Sequence, residues 1–274
     1  MQYHNHVTLN WPRCSSVEER GEYLACALDW GRKYSLLDNR AQLHVRFLNV
    51  KTDEDLLQFV RAWGPLWLAR PGEEDSEGQH GNWPRSWYWA FQSKLTAETG
   101  LFQSLKCGDK ASLKDALLEY VAAKDGFSNT TIPFYKSTFT ASTLSQLFAG
   151  NPDAKPEEWI PAVDIPCLRE AAAWCIGTFH CDFALRPTWE QTKLQLKWKP
   201  FILSLGDAIE LELWNSFASA RPVTICEECG TAFQPESAHQ RKFCSYTCAH
   251  RVAMRMWRKN PKRKRGKHAK AKKA

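Results

Sequence analysis

Four cysteines within 23 residues constrain this chain more than anything else in it: Cys226, Cys229, Cys244 and Cys248, in "CEECGTAFQPESAHQRKFCSYTC". The stretch between the two pairs is polar and poor in hydrophobes, so it cannot fold on buried surface alone and needs a staple. Cys226-x2-Cys229 followed by Gly230 has the form of a metal knuckle, in which two thiolates reach one ion from a tight turn. The glycine there tolerates the positive backbone angle of the reversal. After a gap of 14 residues, Cys244-x3-Cys248 suits the first turn of a helix, where residues four apart share a face. The helix N-terminus and nearby cations favour the thiolate form. Four thiolates complete a tetrahedral zinc ion with no position left open, so the expectation is one structural Zn2+ rather than a hydrolytic one. His239 or His250 in place of one cysteine is the alternative ligand set. The other six cysteines (Cys14, Cys26, Cys107, Cys167, Cys175 and Cys181) are scattered and read as small buried hydrophobes.

Charge is as unevenly placed as the cysteines. The chain of 274 residues carries +7 overall. From Cys226 onward there are 14 Lys and Arg against 3 acids, whereas residues 1–225 hold 23 basic against 27 acidic side chains. A mildly acidic body with a strongly basic end points to one localised surface for a polyanion. Arg251, Arg255 and Arg258 are spaced four and three apart, along one side of a helix, with Lys259 beside them. Arg241 and Lys242 precede the second cysteine pair. Lys262, Arg263, Lys264 and Arg265 open a lysine-rich end that reads as a disordered tail. These ten residues are the candidate nucleic-acid contacts, with DNA placed ahead of RNA as the partner. The bland alternative for the tail is a solvated segment that only aids solubility.

The expected fold is mainly α with minor β. A Trp-rich, helical domain over 1–220, with a sensing or dimerising role, is followed by the finger over 221–258 and the tail over 259–274. In the body, 16–34 reads as a helix, with Val17, Leu24 and Leu28 on a face. Residues 41–50 alternate and read as a strand. Residues 52–65 read as a helix, with a Thr52–Asp55 capping box and a stop at Gly64. Residues 71–82 read as an exposed loop, and 83–105 as a helix interrupted near Gly100. Residues 112–126 form the cleanest helical pattern, with Ser112 and Asp115 as its capping box. Residues 151–166 read as a connection, and 167–185 and 206–219 as two more helices.

No phosphate-binding glycine loop, nucleophile elbow or metalloprotease motif occurs, so no catalytic constellation is expected. An enzyme whose site lies in the Trp-rich body, anchored by the finger, is kept as a further alternative. Trp83, Trp87 and Trp89 are placed in the core rather than in a stacking site. His4 and His6 sit at a frayed end, and His180 beside Cys181 reads as a core histidine. No apolar run approaches the length of a spanning helix, and the first residues lack a secretory pattern, so a cytoplasmic, membrane-free protein is expected.

With these residues in hand, residues 221–258 resemble the treble-clef zinc fingers of bacterial regulators of the CGNR type, and the related FCS-type fingers. The match rests on C-x2-C-G, Phe233 four residues after the second cysteine, and "RKFCSYTC" leading into a basic helix. Phe243 precedes the third cysteine and Arg251 matches the final Arg of the family's Cys-x-x-Arg run, with Ala249 and His250 where the family has Gly and Asn. The resemblance implies a DNA-binding, transcription-regulatory role with the finger's helix as the contacting element. An RNA- or ribosome-associated protein using the same finger and tail is the competing reading.

Overall fold

A computed structural model describes residues 10–35, 42–67, 80–107, 109–128, 141–177, 184–190, 195–201, 204–236 and 242–259. The chain opens with a hairpin, β1 (Asn10–Arg20) and β2 (Tyr23–Ser35), where a helix was expected. The two-residue turn explains the difference. Arg20 pairs with Tyr23, and Gly21 between them takes φ 62°, a left-handed angle that a helix has no place for. A third strand, β3 (His80–Pro84), pairs with β2 and places Trp83 opposite Leu24. It takes the last residues of the expected loop into the sheet; 71–79 lie outside the described residues.

The segment expected as a strand is instead a short helix, α1 (Leu43–Leu48). Leu43, His44, Phe47 and Leu48 are buried together, a helical spacing that the apparent alternation concealed. The next helix, α2 (Asp53–Trp63), forms as read. The Thr52 hydroxyl accepts from the Asp55 amide, the Asp55 carboxylate accepts from the Thr52 amide, and Gly64 closes the helix. Those hydrogen bonds hold the Asp55 carboxyl below its usual range, the Thr52 contact first.

The long helix α3 (Arg85–Cys107) organises the body. It runs unbroken through Gly100, because burial along its length outweighs the roughly 1 kcal/mol a mid-helix glycine costs. Its N-terminal half contributes Tyr88, Phe91 and Leu95 to a core shared with the sheet, α1, α2 and α8 (Leu205–Ala218). Its C-terminal half gives Ala97 and Leu101 to a second core. There it meets α4 (Lys110–Ser128), α5 (Ala141–Ala149), α6 (Pro156–Trp159) and α7 (Ile165–Gly177). Leu113, Leu117, Tyr120 and Val121 are the buried face of α4. Its cap is not the expected Ser112–Asp115 box. Asp109 accepts from the amides of Ala111 and Ser112 and from the Ser112 hydroxyl. The strands β4 (Ala184–Glu190) and β5 (Gln195–Phe201) pair with each other. Trp83 is buried and Trp87 and Trp89 pack against the first core, as expected of core aromatics.

Four charged side chains are buried where α3 passes from one core to the other. Lys94 and Glu98 on α3, Lys124 on α4 and Glu210 on α8 are all almost fully enclosed. Lys94 pairs with Glu210 and lies 3.7 Å from Glu98. Burial pushes the Glu98 carboxyl above its usual range, and burial together with nearby Lys94 lowers the Lys124 ammonium to about 8. No helix among the described residues is long and apolar enough to cross a membrane.

Candidate metal centre and its basic helix

The four cysteines of the expected cluster are brought together. β6 (Thr224–Ile225) and β7 (Ala232–Phe233) form a minimal hairpin whose turn carries Cys226 and Cys229. The Cys226 amide donates to Thr231 O (2.9 Å), the Gly230 amide donates to Cys226 O (2.9 Å), and Gly230 takes φ 65°. The other pair stands at the start of α9 (Tyr246–Lys259). Ser245 caps that helix: its hydroxyl accepts from the Cys248 amide, and its carbonyl from the Ala249 amide. The Glu227 amide donates to Lys242 O, which ties the knuckle to the segment entering the helix.

All four Sγ atoms lie within 4.8 Å of one another. Cys229 and Cys244 are 3.5 Å apart, and Cys244 and Cys248 are 3.7 Å apart. These separations are far beyond the roughly 2.05 Å of a disulfide. They suit four thiolates around one metal ion. The thiols are not equivalent. The hydrogen bond between Cys229 and the Thr231 hydroxyl lowers Cys229 to about 6, whereas burial, then sharing with Cys229 and Cys248, raises Cys244 to about 12. His250 is not in the cluster. Its ring stacks on Tyr246, with centroids 5.9 Å apart. His239 lies outside the described residues.

The candidate nucleic-acid contacts divide into two groups. Arg251, Arg258 and Lys259 are exposed on α9 and make no ion pair among the described residues. Arg255 pairs instead with Glu228 of the knuckle, and Lys242 with Glu227 at 3.2 Å. The acids of the "CEEC" turn thus engage two of the expected contacts in holding the finger together. Arg241, Lys262, Arg263, Lys264 and Arg265 lie outside the described residues, as do His4, His6, His180 and Cys181.

The finger is seated on the body by residues that the sequence reading passed over. Asn49 meets Ala232 as a strand neighbour would: its Nδ2 donates to Ala232 O (2.8 Å) and its Oδ1 accepts from the Ala232 amide (2.7 Å). Lys51 Nζ donates to Gly230 O (3.0 Å), Gln103 Nε2 donates to Ile225 O (3.3 Å), and the Val223 amide donates to the Ser216 hydroxyl (2.6 Å). Val223 and Ala232 belong to the first core itself. A groove of about 550 Å³ remains between α3, α4 and the knuckle, with Lys51 and Glu119 as its charged lining residues.

Asn49→Ala should therefore strand two peptide groups of the knuckle, at a cost of about 1–3 kcal/mol. The expected result is faster hydrogen exchange at the Ala232 amide with the metal content unchanged. An unaltered exchange rate would show that the side chain does not anchor the finger.

Comparison with protein-family models, with curated proteins and with solved structures finds no match to this chain.

Proposed function

We propose that the chain is a zinc-stapled DNA-binding protein acting as a transcriptional regulator of the bacterial kind, with a finger of the treble-clef CGNR or FCS type. The reading is carried by one observation: Cys248 is both a member of the four-thiol cluster and a residue of the first turn of α9. A tetrahedral zinc with Zn–S bonds of about 2.3 Å has sulfur–sulfur edges of about 3.8 Å, close to the 3.5 and 3.7 Å measured between neighbouring thiols. Cys226, Cys229, Cys244 and Cys248 would hold the ion. With all four positions filled by sulfur, it supplies rigidity and no open site for hydrolysis. An isolated helix the length of α9 is marginal in water. Bound metal gives it a fixed first turn and a fixed heading, so Arg251 and Arg258 approach phosphates from a rigid base, and the basic end adds contacts that do not read sequence.

The test is a titration of the zinc-loaded full chain against labelled duplex DNA over a salt series. Log affinity should fall linearly with log salt, and Arg251→Ala or Arg258→Ala should each reduce the slope by about 0.9. Absence of zinc from protein purified without chelator, or no duplex binding at low salt, would overturn the reading. A preference for structured RNA over duplex DNA would move it to its RNA alternative.

A further inference from the structure

Cys248 sets the inner side of α9. A helix turns once every 3.6 residues, so Val252, Arg255 and Lys259 follow Cys248 on that side, and Tyr246, His250, Ala253 and Trp257 share the opposite one. Burial agrees: Cys248 is 6% exposed, Tyr246 83% and Trp257 48%. The Arg255–Glu228 pair falls on the inner side as well, so the helix is seated by that side and presents the other outward. The outward side is aromatic. The Tyr246 and His250 rings are stacked, with an interplanar angle of 15°, and Trp257 stands two turns further along. Exposed Met254 borders the row, with Arg251 and Arg258 just beyond it.

Tyr246 and Trp257 keep part of their ring area exposed on a stapled helix, and exposed apolar surface marks binding sites where it gathers. Their surroundings select the occupant. Exposed arginines on the same helix, and 14 basic against 3 acidic residues from Cys226 onward, call for a polyanion. Flat rings call for flat partners. A paired duplex keeps its base faces inside the stack and offers a groove only base edges. An unpaired strand offers phosphates and base faces together. The seven-residue step from His250 to Trp257 spans about 10.5 Å along the helix, roughly three times the 3.4 Å rise per stacked nucleotide, so the two ring sites suit bases that are separated from one another.

We propose that the outward face of α9 binds unpaired nucleotides, with Tyr246–His250 and Trp257 stacking on bases while Arg251 and Arg258 hold the flanking phosphates. This rests on the nucleic-acid-binding reading above and adds the state of the strand that is recognised: a single strand, or a duplex locally opened.

The experiment uses the metal-loaded full chain and four labelled probes at one salt concentration. These are a mixed-sequence DNA strand, the same strand in a duplex, that duplex with a central unpaired stretch, and the RNA version of the strand. The unpaired DNA probes should bind about tenfold tighter than the duplex, because each stacked base contributes a factor of that order. The RNA strand distinguishes which sugar the face accepts. Tyr246→Ala and Trp257→Ala should each weaken the unpaired probes about tenfold and leave duplex affinity within about twofold, while Trp257→Phe should retain most of the binding. Both positions are exposed, and an unchanged metal content checks that the finger still folds. Equal affinity for duplex and unpaired probes, with the alanine variants unaltered, would overturn the proposal and leave the DNA-binding reading standing. No binding of any probe by the unmodified chain would overturn both. Loss of self-association in Trp257→Ala, with strand binding intact, would assign the face to a second copy of the chain and overturn the proposal as well.

Discussion

Serine at Cys226 is expected to release the metal and to lower the melting temperature of the whole chain, not of the finger alone. The knuckle has too few apolar residues to hold its turn without an ion, so residues 226–248 lose their order first. The damage then spreads inward, because Val223 and Ala232 are members of the first body core and the Asn49, Lys51 and Gln103 contacts end on knuckle carbonyls and amides. Exposing one buried valine costs about 1.5–3 kcal/mol, and each lost hydrogen bond about 0.5–1.5 kcal/mol. A loss of about 3 kcal/mol from the body, or about 6–12 °C in a chain of this size, is the expected outcome. Elemental analysis and calorimetry of the same sample check both halves. A body transition at its original temperature, after the metal has gone, would show that the finger only rests against the body.

Lys94→Met is expected to destabilise the chain by about 3–5 kcal/mol, the cost of leaving buried charge without its partner. Glu98 and Glu210 would then share the seam between the two cores with Lys124 as the remaining buried cation. The effect should depend on pH in a definite direction. Burial already holds the Glu98 carboxyl above its unfolded value, and the neighbouring Lys94 charge opposes that rise. Without Lys94 the folded state keeps its proton to still higher pH. The folded chain then binds more protons than the unfolded one between the two pKa values, so stability falls as pH rises through that window. The variant should be closest to the parent near pH 5 and furthest from it at pH 7. Adding Glu210→Leu should recover much of the loss, since an apolar pair of similar volume removes both desolvation costs. Denaturant titration at the two pH values decides it. A single variant within about 1 kcal/mol of the parent at pH 7 would mean that water reaches the seam.

What the sequence discloses here is what short spacings encode. The Thr52–Asp55 box and the stop at Gly64 involve neighbours three to a dozen residues apart, and α2 forms as read. The same holds for the four cysteines, whose spacing already describes a chelate. Where a residue's role is decided by a distant partner, local pattern misleads. Val17, Leu24 and Leu28 satisfy a helical face as well as a hairpin, and it is β3, more than 50 residues on, that completes the sheet. Residues 41–50 alternate like a strand, yet His44 meets Glu212 on α8 and the segment coils to reach it. In α4, Asp109 lies just upstream of the motif that looked complete without it. Asn49 carries no local signal at all, because its partner lies 183 residues away. Both charges of the Arg255–Glu228 pair lie in the finger and its helix, but only the fold shows which arginine turns inward. The aromatic row was open to inspection: once Cys248 is taken as inward, Tyr246, His250 and Trp257 must lie opposite.

The seating of the knuckle on α1, α3 and α8 has a mechanical consequence. A reading head on a tether can swivel to follow its track while its cargo trails behind. Here α9 leaves the body at a set angle, so in the proposed role the chain would meet a strand as one block. The block's width, not the finger's, would then determine how tightly copies crowd along it. Leverage also runs the other way. In the proposed role, a molecule that wedged α1 away from α8, or filled the groove beside Lys51, would tilt the arginine row without touching it and be felt at the strand as a change of aim.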